Sequence, residues 1–138
     1  MSPVEERPTS LLASVSNAMV ALHKEQFGRG PVTARSYFAG PDTLVCVLED
    51  ALLPAERKLV EMGDHQRVRE SRVAFQVATT DEFITAVEQI VGRKVRAFAS
   101  ATDVVQNVVF ENFVFESDAT SDGNAPATRR PSSQTGNT

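Results

Sequence analysis

Residues Thr33–Glu49 read TARSYFAGPDTLVCVLE. Two short runs rich in β-branched and aromatic residues, TARSYFA and TLVCVLE, flank Gly40-Pro41-Asp42, a turn-forming triplet, so the stretch predicts a β-hairpin. Its second strand is unusual in being apolar at every position from Leu44 to Leu48. A strand facing water on one side alternates, so this one is expected to be covered on both faces or paired in the middle of a sheet. Further strands and covering helices are therefore required.

Upstream, Leu11, Leu12, Val15, Met19 and Leu22 fall at helical spacing and predict a helix from Ser10 to Phe27, with Thr9 or Ser10 as its cap. The following HKEQFGRGPVTAR, His23 to Arg35, sets two glycines around an arginine. A phosphate-cradling glycine loop precedes a helix and aims free N–H groups at the anion. Here the glycines follow a helix, where the backbone offers carbonyls, and no Gly-Lys-Ser/Thr completes a P-loop. Gly28, Gly30 and Pro31 read as a helix stop that holds Arg29 and leads Arg35 into the first strand.

Downstream, LPAERKLVEMGDHQRVRESRVAFQVA predicts a second helix, with Pro54 in its first turn, Ala55, Leu59 and Met62 at helical spacing, and Gly63 placed to bend or break it. Val73, Phe75 and Val77 also alternate as a strand would. Helix is favoured, since DHQRVRES is densely charged and no turn residue precedes Thr79. Thr79 and Glu82 have capping-box spacing and predict the start of a third helix, with Phe83, Ile84, Val87, Ile90 and Val91 as its apolar stripe and Gly92 as its end. KVRAFASA and NVVFENFVFE, joined by TDVVQ, form a second predicted hairpin. The order α-β-β-α-α-β-β implies an α+β fold: a four-stranded, mainly antiparallel sheet with helices packed on one face. Phe110, Phe113, Val114 and Phe115 supply apolar groups to both faces of the last strand, which in so small a unit implies a homodimer.

The 138 residues are 41% hydrophobic and 23% charged, ordinary for one domain, and the expected folded unit runs from 10 to 116. Residues 1–9 are expected to be flexible and 117–138, which lack any large apolar side chain, to be a disordered tail. A net charge of -4 argues against nucleic-acid partners. Cys46 is the single cysteine, excluding an internal disulfide and suggesting a cytoplasmic setting. The polar N-terminus suggests neither a secretory signal nor a transit peptide, and no apolar run has the length of a membrane span, so direct membrane insertion is not expected.

For chemistry the inventory is thin. His65, Arg69, Arg72 and Gln76 share a helix face that could bind an anion through bidentate donors, although charged helix faces mostly meet water or form salt bridges. Arg93, Lys94 and Arg96 suit the end of a helix electrostatically. His23 and His65 are the only histidines and neither has a metal-binding neighbour, so no metal and no cofactor is expected. Cys46, within an apolar strand, reads as a small buried hydrophobe. Glu49 and Asp50 end that strand, where one of them is expected to help start the next helix. No nucleophile, base and orienter occur as a set, so no catalytic residue is assigned and the chain does not read as an enzyme.

Three segments carry a resemblance: NAMVALHKEQFGRGPVTARSYFAGPDTLVCVLEDALLPAERKLVE, then VRESRVAF, then VEQIVGRKVRAFAS. They resemble the MpsC-like family, a domain of unknown function named after a proposed sodium-translocating, membrane-potential-generating system. The matching positions are Gly28, Arg29, Gly30, Pro31, Arg35, Leu53, Pro54, Glu56, Arg69, Arg72, Gly92, Arg93 and Val95. The resemblance implies association with a membrane system for ion or inorganic-carbon uptake, and brings no catalytic residue with it. The expectation is a cytoplasmic, non-enzymatic accessory or regulatory protein that docks on a membrane-protein complex. The alternative is a sensor in which Arg29, Arg35, Arg69 and Arg72 converge on a small anion such as a nucleotide or bicarbonate.

Overall fold

A computed structural model describes residues 8–117. The expected loose segment 1–9 therefore lies outside the described residues except for Pro8 and Thr9, and the expected tail lies outside them from 118 onward.

The first helix, α1, runs Pro8–Phe27. Thr9 and Ser10, expected as caps, fall within its bounds. Val15, Met19 and His23, four residues apart, turn one buried stripe toward the sheet. Gly28 then adopts φ 85°, and its N–H donates to the Lys24 carbonyl at 2.8 Å, the left-handed cap expected of a helix stop. Gly30 is needed for a different reason: a Cβ there would come within 3.0 Å of the Val20 carbonyl oxygen.

Strands β1 (Thr33–Phe38) and β2 (Thr43–Glu49) form the first hairpin, and β3 (Val95–Asp103) and β4 (Val108–Phe115) the second. The sheet order is β1-β2-β4-β3 and every pairing is antiparallel. β2 is thus an interior strand, as its continuous apolar run demands. Leu44, Cys46 and Leu48 are buried under the helices, and Val45 and Val47 face the other way, half-buried. On β4 the same parity sends Val109, Glu111, Phe113 and Phe115 inward and Phe110, Asn112 and Val114 outward.

Between the hairpins lie α2 (Pro54–Glu61) and α3 (His65–Val91). Two helices are present, as expected, but the break between them falls at Gly63, at φ 85°, and not at Thr79. The Thr79 hydroxyl donates to the Phe75 carbonyl at 2.7 Å, one turn back inside a continuous helix. Threonine can satisfy its hydroxyl that way as readily as by capping, so its spacing to Glu82 did not mark a boundary. Asp64 caps α3 instead, its Oδ1 accepting from the Arg67 N–H at 3.4 Å. The alternation Val73, Phe75, Val77 lies on exposed positions of this helix.

The main core gathers Val15, Met19, Leu44, Leu48, Phe83, Val87, Val109, Phe113 and Phe115 between α1, α3 and the sheet. Leu52, Val68 and Val104 form a smaller cluster packed by Leu59 of α2. Arg93 fastens the α3–β3 corner: its guanidinium donates to the Pro41 carbonyl, to Asp42 at 2.6 Å and to the Glu116 carbonyl, and lies over the Phe115 ring. Among the described residues no helix is long and apolar enough to cross a membrane.

Candidate functional site

Asp50, Ala51, Leu52 and Leu53 carry the chain from β2 into α2, and four polar side chains hold them. Arg72, on α3, donates from Nε to Glu56 Oε2 at 2.9 Å and from Nη2 to Glu56 Oε1 at 2.6 Å, and Nη2 also reaches the Ala51 carbonyl. Glu56 Oε1 accepts in addition the Leu53 N–H at 2.7 Å. Arg29 donates to the next carbonyl, that of Leu52, at 2.6 Å. From the β4 side Asn107, at φ 61°, uses its side chain to accept from Leu52 N–H and to donate to Asp50. Asp50 thus joins the β3–β4 loop and also lies 3.7 Å from Arg57 of α2, while Glu49 pairs with Arg35.

The Arg72–Glu56 pair is 7% and 12% exposed, so water screens it little. Its charges cancel locally. The guanidinium also lies over the Phe27 ring, 3.9 Å from the centroid, and so forms one wall of a cleft between α1, α3 and strands β3 and β4. At the base of that cleft His23 Nε2 and Glu111 Oε2 are 2.8 Å apart. Both residues are buried, and each keeps a polar atom without a partner: His23 Nδ1 and Glu111 Oε1. Phe27, Phe75, Phe83 and Phe98 supply apolar walls, and Ser100 and Thr102 line it from β3.

Burial governs the proton in this pair. It pushes the Glu111 carboxyl up to about 7, against the opposing pull of the Ser100 hydroxyl and of Arg72. It lowers His23 to about 4, with the Arg72 charge adding to the effect. The imidazole is thus neutral at physiological pH, and Glu111 is poised between its acid and its carboxylate. Burial likewise raises the Cys46 thiol to about 11, so it is fully protonated near neutrality and behaves as the buried hydrophobe its sequence context suggested. Among the described residues no three His, Cys, Asp or Glu side chains gather into a metal-binding group.

The four arginines singled out in the sequence do not form one cluster. Arg29 and Arg72 meet at the Ala51–Leu52 carbonyls, and Arg69 joins Arg72 at a small polar hollow with Val73, Gln76, Ser100 and Thr102. Arg35 lies on the opposite face of the sheet, paired with Glu49 at 2.9 Å. Strand parity decides this: Ser36 points inward toward Ser16 of α1, so its neighbour Arg35 points away. His65, half-buried at the start of α3, does not line the cleft.

Sequence reasoning passed over His23 and Glu111 as a pair. The signal was present in each: His23 continues the Val15–Met19 stripe, and Glu111 is the one charge at an inward position of VVFENFVF. Their pairing across 88 residues of chain was not legible.

The fold and the cleft define a class: a small α+β domain with a buried imidazole–carboxylate pair and a buried arginine–glutamate pair beside it. Residues 8–117 match the family described as Na+-translocating membrane potential-generating system (MpsC). The chain belongs to that MpsC family. No curated protein and no solved structure matches it.

Proposed function

We propose that the chain is a cytoplasmic, non-enzymatic accessory or regulatory protein of the sodium-translocating system its family is named for, and that it works as a homodimer docked on the membrane complex. The observation that carries the dimer is the sheet face turned away from the helices. There Tyr37 stands opposite Val45, Val47 opposite Phe110, Val114 opposite Ala97, and Phe110 opposite Ala101, making a largely apolar surface across all four strands that Asn112 interrupts between Val45 and Ala99. Tyr37 is 50% exposed, and no element of the described chain covers the face. A second copy suits it because Arg35 and Glu49 sit on the same face with opposite charges, so two copies related by a two-fold axis can exchange that ion pair. Family membership supports the membrane partner.

Sedimentation velocity at micromolar concentration is expected to give a dimer, and Val47→Glu a folded monomer. A monomeric native chain overturns the dimer. A pull-down from native membranes that recovers no membrane protein overturns the docking.

A second reading, sensing of a small anion, is favoured by the hollow that Arg69 and Arg72 share. Thermal-shift measurement with bicarbonate and with a nucleotide tests it: stabilisation lost in Arg69→Ala supports it, and no shift with either removes it.

A further inference from the structure

We infer that the cleft between α1, α3, β3 and β4 binds a small zwitterion of amino-acid size, its amine held by Glu111 and its acidic group by Arg69. The inference deepens the anion reading, on which it rests for the role of Arg69.

Glu111 and His23 are 2% and 3% exposed, and Glu111 Oε1 and His23 Nδ1 lack partners. A buried carboxylate oxygen can be satisfied only by a donor; the Ser100 hydroxyl beside it can supply one, and the second oxygen's remaining acceptor capacity suits the cleft to an arriving N–H or O–H group. Both residues line a half-open cavity of about 30 Å³. That volume accepts a water or two, or one amine head; it is too small for a nucleobase. Phe75, Phe83 and Phe98 give it apolar walls, with Phe98 stacked between Phe83 and Phe113.

Arg72, Gln76, Ser100 and Thr102 border this cavity and also a hollow of about 50 Å³, so the two adjoin across these side chains. Arg72 is already neutralised by Glu56. Arg69 is exposed, has no ion-pair partner among the described residues, and is the net positive charge of the outer hollow. The site thus presents a carboxylate inside and a guanidinium at the rim. A molecule with an ammonium at one end and a carboxylate at the other matches both signs, whereas a simple anion leaves Glu111 unpaired. Because burial raises the inner carboxyl to about 7, an arriving ammonium draws it toward the carboxylate.

Differential scanning fluorimetry and calorimetry on the full chain test this with glycine, β-alanine and γ-aminobutyrate, against acetate and ethylammonium as half-ligands. At least one zwitterion is expected to raise the melting temperature more than either half-ligand, with binding weakened roughly tenfold or more by Glu111→Gln and by Arg69→Ala. The half-ligand comparison uses the native chain and so decides the matter even if Glu111→Gln folds poorly. If acetate matches the zwitterions and Arg69→Ala abolishes its effect, the zwitterion assignment is overturned and the anion reading stands. If ethylammonium alone matches them, the role given to Arg69 is overturned. No shift with any compound overturns the assignment altogether.

Discussion

Removing the Arg72 guanidinium would leave the Glu56 carboxylate, bonded also to the Leu53 N–H, buried without its counter-charge. Breaking such a pair from one side costs on the order of 3–5 kcal/mol, whereas replacing both partners by apolar groups of similar volume is often close to neutral. Arg72→Met is accordingly expected to lower unfolding free energy in urea by that amount, and Arg72→Met with Glu56→Leu to recover a good part of it. At His23 and Glu111 the expectation is a pH dependence. Glu111, raised from 4.5 to about 7, keeps in the folded chain a proton that the unfolded chain has lost, so its contribution is full below pH 4.5 and disappears as pH rises through 7. His23, lowered from 6.5 to about 4, acts oppositely: its contribution is present above pH 6.5 and lost as pH falls through 4. The two slopes oppose each other between pH 4.5 and 6.5. Denaturation curves should therefore show Glu111→Gln gaining stability as pH rises through that window and His23→Asn losing it, with the native chain flatter than either. Arg72, Cys46 and Ser100 also face the pair, and Arg72→Met should reduce the depression of His23.

At the level of elements, the two helices between the hairpins show how local signals compete. Asp64 and Thr79 both had cap-forming side chains, and only the backbone at Gly63 separates them. A left-handed residue ends a helix whatever follows, while threonine inside a helix can bond the carbonyl one turn back. Gly63→Ala should cost about 1–2 kcal/mol, the penalty of placing a Cβ in the left-handed region. Asp64→Ala should cost about 1 kcal/mol through loss of its cap, and Thr79→Ala should show no loss of that kind. Thermal melts of the three variants separate these outcomes. The α1 stop was legible because Gly28, Gly30 and Pro31 act through their own backbones. The reach of Arg29 to the Leu52 carbonyl was not, since it depends on where a loop 23 residues away returns.

For the whole molecule, the two faces of one sheet make different demands. Phe113 is fully buried beneath the helices, and Phe113→Ala should cost about 3–5 kcal/mol at every protein concentration. Phe110 lies on the other face, and Phe110→Glu should leave monomer folding intact while abolishing the rise of melting temperature with concentration that a dimer shows. The α+β class, both hairpins, the interior place of β2 and the apolar outer face were all determined by the sequence alone, because side-chain period, turn residues and helix stops are local properties written in neighbouring residues. Which charges meet was decided only by the tertiary structure. Arg35 is turned outward by one residue of strand parity, Arg72 is spent on Glu56, and Glu111 finds His23 across the core. Such pairings depend on how distant segments are brought together, and local periodicity carries no record of which distant segment arrives.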